Sequence, residues 1–353
     1  MNNIFPKSIE RILVTGGGGF IGGALIRRLL ANTQCCIYNL DKIGYASNFV
    51  SIELELLKYK DSDCKYKLIK SDISDLESTR LAIEGVNPDL VFHLAAESHV
   101  DRSINSPDSF LKSNVEGTYN LLTSITEYWR NLDNIRKESF RFLHVSTDEV
   151  FGSLGPEGFF NENTRYDPRS PYSATKASSD HLVKAWNHTY GLPTLVTNCS
   201  NNYGPWQFPE KLIPLTINNA INKKEIPLYG NGENIRDWIF VEDHIDALIT
   251  IMAKGTIGKS YCIGGSSERT NLEVMQSICS ILDEIRPQNK SYSSLIKYVK
   301  DRPGHDYRYA IDSSLIRTNL GWKPKLDFDE GLTQTVLWYV SNQSWSNSLL
   351  ESS

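Results

Sequence analysis

Short apolar runs alternate with longer helical patterns through the first half of the chain. Residues 11–14, Arg-Ile-Leu-Val, predict a buried strand, followed by a glycine turn and an apolar helix through Leu30. Residues 36–40 predict a second strand ending at Asp41, and residues 66–70 a third ending at Asp72. Residues 89–94 and 140–145 predict a fourth and a fifth. Helical periodicity fills residues 109–130 and 173–190. Near-continuous apolar strands separated by helices need crossover connections, which points to an α/β fold: a doubly wound parallel sheet covered on both faces.

Beyond Asn198 this alternation breaks down. Asn201-Asn202-Tyr203-Gly204-Pro205 and Tyr229-Gly230-Asn231-Gly232 are turn-rich, and later segments predict short strands and helices. The organisation expected is a large domain of residues 1–198 with roughly 239–264, and a smaller, partly interleaved C-terminal lobe of 199–238 and 265–345. The polar residues 346–353 are expected to be a loose tail. There is no internal repeat.

Hydrophobic residues make up 40% of the 353, enough for a sizeable core. A formal charge of −5 offers no basic field for nucleic acid, although helix N-termini can still hold a small anion. The six cysteines, at 35, 36, 64, 199, 262 and 279, form no Cys-x-x-Cys pair. Reduced thiols without a metal are expected. No apolar run approaches the ~20 residues of a membrane span, and no signal-like start is evident, so the expectation is a soluble cytoplasmic protein.

Glycines at 16, 19 and 22 give G-x-x-G-x-x-G directly after the first strand. A tight turn of this kind lets backbone N–H groups approach a pyrophosphate, with the next helix N-terminus adding a positive dipole end. By itself the cluster is a weak signal, with a flexible turn as the alternative. Asp41, at the end of the second strand, can accept hydrogen bonds from both ribose hydroxyls of an adenosine and would repel a 2′-phosphate. That favours NAD over NADP in a Rossmann-type domain; a helix cap is the alternative. Asp72 and Ile73 end the third strand, where an adenine edge could lie, or they form a simple turn.

Ser146-Thr147-Asp148-Glu149 places polar residues at the carboxyl end of a buried strand, where open α/β sheets bind ligands. Tyr172 and Lys176 are four apart and share a helix face. A nearby ammonium favours phenolate, so the spacing predicts a lowered phenol pKa and a Tyr usable as a base. Tyr-x-x-x-Lys alone is a weak signal; the upstream glycine turn and Thr147 strengthen it.

Together, the turn, Thr147 and Tyr172-x-x-x-Lys176 resemble the extended short-chain dehydrogenase/reductase family. HLAAESHVDRSI (93–104), STDEVFG (146–152), PYSATKASSDHLV (171–183), TNCSNNYGP (197–205), FPEKLIP (208–214), IRDWIFVEDH (235–244) and DRPGHDYRYAID (301–312) resemble its dTDP-glucose 4,6-dehydratase branch. The likeness runs from about Arg11 to Tyr339. It implies an NAD-dependent lyase acting on a nucleotide sugar in deoxysugar biosynthesis, as a homodimer through residues 109–130 and 173–190. Tyr172 would take the C4 hydroxyl proton, with Thr147 bonded to the C4 oxygen. Glu149 would take the C5 proton and Asp148 would protonate the departing C6 hydroxyl. For that, one carboxyl must hold its proton near neutrality.

The resemblance further implies a cofactor lining of Gly16, Gly19, Phe20, Ile21, Gly22, Asp41, Lys42, Ile43, Gly44, Asp72, Ile73, Leu94, Ala95, Ala96, Glu97, Ser98, Ser113, Tyr172, Lys176 and Asn202. Substrate contacts would fall to Ser98, Thr147, Asp148, Glu149, Asn201, Lys211, Leu212, Pro227, Leu228, Tyr229, Arg236, Asn271, Asp301, Arg302, Pro303, Gly304 and His305. Arg236 could clamp a phosphate or instead pair with Asp237 or Asp243. No metal is expected. Gly44, Gly23 and Phe151 depart from the branch's usual residues without touching the reactive set. A UDP- or CDP-hexose 4,6-dehydratase, a 4-epimerase and a non-catalytic nucleotide-sugar sensor stay open as alternatives, although an epimerase has no use for Asp148-Glu149.

Overall fold

The structure, a computed structural model, describes residues 4–59 and 65–351; Cys64 lies outside them. The strands, in chain order, are β1 (Arg11–Thr15), β2 (Cys36–Asp41), β3 (Tyr66–Lys70), β4 (Leu90–His93), β5 (Arg141–Thr147), β6 (Thr194–Cys199), β7 (Asn201–Tyr203), β8 (Ile226–Tyr229), β9 (Ile235–Phe240), β10 (Ser260–Ile263), β11 (Glu268–Thr270) and β12 (Ile296–Val299). Seven of them, among the described residues, form one parallel sheet in the order β10-β6-β5-β4-β1-β2-β3. The order reverses between β1 and β4, and a crevice opens there at the carboxyl ends of the strands. The expected doubly wound sheet is thus present, with β6 and β10 added to the five expected strands.

Helices cover both faces: α1 (Phe20–Asn32), α2 (Val50–Leu56), α3 (Leu76–Val86), α4 (Val100–Asn105), α5 (Pro107–Phe110), α6 (Gly117–Arg130), α7 (Asn134–Ser139) and α8 (Pro171–Tyr190). One core packs α1 and α10 (Val241–Lys254) on one side of the sheet, around Ile12, Val14, Leu25, Leu29, Ile245 and Leu248. The other packs α3, α6 and α8 against the opposite face, around Leu13, Val91, Leu121, Ile125 and Val183. The single helix expected over residues 109–130 is broken into α5, a π-turn at Leu111–Glu116, and α6. The wider turn, a feature often found at functional sites, carries Asn114. Its side chain accepts from the Glu97 N–H (2.8 Å) and donates to Thr175 Oγ1 (2.9 Å).

The smaller lobe has its own core around Tyr203, Ile213, Leu228, Trp238, Ile278 and Leu332. Sheets β11-β9-β7 and β12-β8 are backed by α9 (Leu212–Ile221), α11 (Asn271–Ile285) and α13 (Phe328–Ser341). Two boundaries differ from expectation. The helix α12 (Ser314–Leu320) and Trp322 leave the lobe: Ile316 and Trp322 are buried in the large domain's core, beside α10 and β10. The polar tail is helical as α14 (Gln343–Glu351), with Trp345 packed edge-on against Trp206 and Trp338 at 5.1 and 5.2 Å, while 352–353 lie outside the described residues.

Candidate active site

The crevice holds a cavity of about 350 Å³ that opens over β1, β4, β5 and β6. Every expected cofactor residue lines it except Ile43. Gly16 makes the turn at φ 74°, and a Cβ there would stand 2.6 Å from Ala95 Cα. A Cβ on Gly22 would collide with the Gly16 carbonyl oxygen. Only glycine lets the loop lie this close to the β4 end and to the following helix. Asp41 is 6% exposed and accepts from the Gly18 N–H (2.8 Å), the Ile43 N–H (2.8 Å) and Ser47 Oγ (2.9 Å). The carboxylate is pinned at the cavity edge with lone pairs to spare. Ile43, by contrast, sits at φ 59° with its side chain turned to solvent; only its backbone serves the site.

The reactive set converges at the other end. A capping box of Ser170 and Ser173, with Pro171 in the first turn, starts α8 and fixes Tyr172 and Lys176 one turn apart. Lys176 is 4% exposed, and its Nζ donates to the Val145 carbonyl oxygen at 2.9 Å. Burial pulls the ammonium down to about 8, while Asp180 opposes that pull. Thr147 Oγ1 donates to Asp148 Oδ1 (3.2 Å) and accepts from the Glu149 N–H (3.2 Å), and the strand ends there in a 3₁₀ turn, Asp148–Phe151.

The two carboxyls have different surroundings. Asp148 is 1% exposed, and its Oδ2 has no hydrogen-bond partner. Burial, then the Glu149 and Asp237 charges, push it well above the ordinary range. Glu149 is also raised by burial, but Arg302, Arg236 and Lys211 pull it back. Adjacent carboxyls in such unequal fields separate into a protonated acid and an ionisable base.

The expected lowering of the Tyr172 phenol is not found. Burial, then Glu149, Cys199 and Asp148, hold it well above its ordinary value. The physical reason is that burial and the two neighbouring carboxyls disfavour the phenolate, while Lys176 Nζ bonds Val145 rather than the phenol.

Of the expected substrate residues, Ser98, Thr147, Asp148, Glu149, Asn201 and Lys211 line the cavity. Others stand off it. Leu228 is 1% exposed, its side chain packed inside the lobe core. Leu212 packs against that core at the start of α9, and Asn271, 7% exposed, opens α11. Pro227 and Tyr229 lie on β8, with Tyr229 exposed. Arg236 pairs with neither Asp237 nor Asp243. It donates to the carbonyl oxygens of Ile235 (2.7 Å) and Asp306 (3.0 Å), and its guanidinium lies 4.2 Å over the Tyr309 ring. Arg302 pairs with Asp101 (3.6 Å), and His305 Nδ1 with Asp301 Oδ1 (2.7 Å); Pro303 and Gly304, at φ 66°, form the turn between them. Arg236, Arg302 and Lys211 share a field on Glu149, and Arg302 also acts on the other two.

Sequence reasoning missed Tyr45, Ser47, Cys199, Gln207, Phe208 and Glu210, which also line the cavity. Their only signal is adjacency to Asp41, Asn201 and Lys211. No cluster of metal-ligating side chains occurs among the described residues.

A family profile described as GDP-mannose 4,6 dehydratase matches residues 13–335. The chain belongs to this family. It is 53% identical over 344 residues to dTDP-glucose 4,6-dehydratase 1 of Escherichia coli (strain K12), covering 95% of this chain and 94% of that one. It is 49% identical over 350 residues to the dTDP-glucose 4,6-dehydratase of Neisseria meningitidis serogroup B, covering 98% and 97%. Among solved structures, the dTDP-glucose 4,6-dehydratase of Streptomyces venezuelae, determined with NAD bound, superposes with a TM-score of 0.86 at 39% identity, covering 96% of this chain and 99% of that one. Membership of the family covers the lobe as well as the sheet, so the resemblance read from the motifs holds along the chain.

Proposed function

We propose that this protein is an NAD-dependent dTDP-glucose 4,6-dehydratase, converting dTDP-glucose to dTDP-4-keto-6-deoxyglucose with loss of one water. The observation that carries the reading is the unequal pair Asp148-Glu149 beside Tyr172 at one cavity. NAD fits the glycine turn, the Asp41 carboxylate and the cavity between them; when bound, it supplies a hydride acceptor for C4 and a hydride donor for C6.

Tyr172 accepts the proton of the C4 hydroxyl, and Thr147 orients the C4 oxygen. The 4-keto group acidifies C5, whose proton passes to Glu149. Asp148, kept neutral by burial, gives its proton to the C6 hydroxyl, which leaves as water as the C5–C6 double bond forms. Glu149 then returns its proton to C5. Before the first step, a phenol raised by burial must lose its proton. The Lys176 ammonium, charged and one helical turn away, is the group that favours this. Ser98, Asn201 and Lys211 take the diphosphate, and Arg236, Arg302 and His305 complete the nucleotide side.

A homodimer through residues 109–130 and 173–190 agrees with the exposed Leu111, Tyr119 and Tyr190 on those segments. No helix among the described residues is long and apolar enough to cross a membrane; a cytoplasmic location is part of the same reading. The deciding experiment incubates purified protein with dTDP-, UDP- and CDP-glucose side by side and follows mass. Loss of one water from dTDP-glucose is expected. An unchanged mass with C4 inverted would replace the dehydratase with an epimerase, and tight binding without turnover would leave a sensor.

A further inference from the structure

Beneath Lys176 lies a buried polar cluster that the proposed chemistry does not use. Asp180, one turn further along α8, is 0% exposed. Its Oδ2 accepts from Tyr166 OH (2.8 Å) and from Asn198 Nδ2 (3.1 Å), and its Oδ1 lies 3.1 Å from His144 Nε2 on β5. His144 is also fully buried, stacks on His93 of β4 at 5.1 Å, and places the same Nε2 3.5 Å from Lys176 Nζ. Asn198 donates a second bond, to the Thr147 carbonyl oxygen (3.1 Å). One carboxylate therefore touches a residue leading to Lys176 and another leading to the Thr147 backbone.

A carboxylate and an ammonium buried this deeply are costly unless each offsets the other. Burial holds His144 down at about 4, so the imidazole is neutral near pH 7. Neutral, its Nε2 can serve either Asp180 as donor or Lys176 as acceptor, one at a time according to tautomer, and in both cases the cluster holds one anion and one cation. Cys199 on β6 and the carboxyls of Asp148 and Glu149 face the reactive side. Tyr166, Lys184 and Cys262 face the far side, Lys184 Nζ donating to Tyr166 OH at 3.1 Å. Lys184 is spent on that phenol, and Asp180 is the leading group opposing the loss of charge on Lys176.

We propose that Asp180 is a positioning residue for the reactive centre: through His144 and Asn198 it sets the charge of Lys176 and the placement of Thr147. The inference rests on the dehydratase reading for its catalytic consequence, but not for its effect on Lys176 itself. The test is Asp180→Asn, which keeps the shape and can still bond Asn198 and, after a tautomer change, His144. Two readouts are taken. The first is the titration of Lys176 in the purified protein, by NMR of lysine labelled at Cε and assigned with Lys176→Met. Without the anion the ammonium should lose its proton at least one pH unit lower. The second is the pH profile of dTDP-glucose turnover, whose alkaline limb should move down by the same amount, with roughly fivefold loss at pH 8 for a one-unit shift from about 8.

An unmoved Lys176 titration overturns the proposal, whatever happens to turnover. A moved titration without turnover by the unaltered chain leaves the proposal standing and removes the dehydratase reading instead. Tyr166→Phe, which takes away a hydrogen bond but no charge, should leave the titration in place; an equal shift there would mean that packing alone is responsible, against the proposal. If Asp180→Asn alone does not fold, the double variant with Lys176→Met removes both charges. Recovery of folded protein in the double supports the pairing, and failure of the double overturns it.

Discussion

Lys176 reaches across from its helix to the Val145 carbonyl oxygen on β5, 2.9 Å away, rather than to the tyrosine that shares its helix face. The bond ties α8 to the strand that ends in Thr147, Asp148 and Glu149. The spacing of Tyr172 and Lys176 thus aligns two secondary-structure elements, with no direct bond between the ammonium and the phenol.

Tyr172→Phe removes the only atom of that side chain able to take the C4 proton. Turnover should fall by about 100- to 10,000-fold, the range typical of a lost general base. Reduced nicotinamide should not form on mixing with dTDP-glucose, because the block precedes oxidation. Stopped-flow absorbance checks this; reduction at the native rate would assign the base elsewhere.

Glu149→Gln should separate the steps. Oxidation at C4 needs no Glu149 proton, so reduced nicotinamide still accumulates, while release of water and exchange of the C5 hydrogen with solvent deuterium stop. In the native protein the base works when ionised, and burial raises its pKa above 4.5. The C5 exchange rate should therefore fall as pH drops through a value above that of an ordinary glutamate. Water loss from Glu149→Gln at the native rate would overturn the base assignment.

Asp148 should cost stability. Its folded pKa is raised well above 3.8, so between that value and the folded one the native state holds a proton the unfolded chain has lost. Stability then falls as pH rises, by up to about 1.4 kcal/mol per pH unit across that window. Asp148→Asn cannot titrate. Its denaturation midpoint should match the native protein near pH 3.5 and exceed it near pH 7, while dehydration is lost. Equal midpoints at both pH values would mean that Asp148 is not held neutral by the fold.

Much of this site is readable along the chain, because it sits where strands end. Gly16, Asp41, Asp72, Leu94 and Thr147 each follow an apolar run, and parallel strands deliver their carboxyl ends to one edge. What escapes is set by tertiary approach. Nothing local tells that Lys176 turns to Val145, that the Leu228 side chain packs into the lobe core, or that Ile316 and Trp322 return to the large domain. The helix at α14 escapes for the same reason: most of its residues are polar, and Trp345 anchors it edge-on against Trp206 and Trp338 with a bond to Asn48. Asp180 reads as a polar residue on a helix until β5 and β6 are placed against it.

The cavity is also closed by contacts far apart in sequence. Tyr45 OH donates to Glu210 Oε1 (2.9 Å), and the Arg102 guanidinium lies 3.6 Å over the Tyr45 ring and 3.5 Å from Glu210 Oε2. Beside them Lys42 Nζ bonds Glu97 Oε1 (2.5 Å). These side chains join the loop after Asp41, the segment after β4 and the start of the lobe, over the space assigned to the dinucleotide. Hydrogen bonds to a carboxylate contribute about 1.5–3 kcal/mol, whereas exposed ion pairs give less than about 1. Tyr45→Phe should therefore release bound NAD roughly ten times faster, and turnover with saturating added NAD should stay near native, since no reacting atom is touched. Lys42→Met, which removes only a partly exposed ion pair, should change release less than threefold. Dialysis of the purified variants, followed by nucleotide quantification, gives the rates. Equal retention by the Tyr45→Phe and native proteins would show that the glycine turn and Asp41 hold the cofactor without help from this closure.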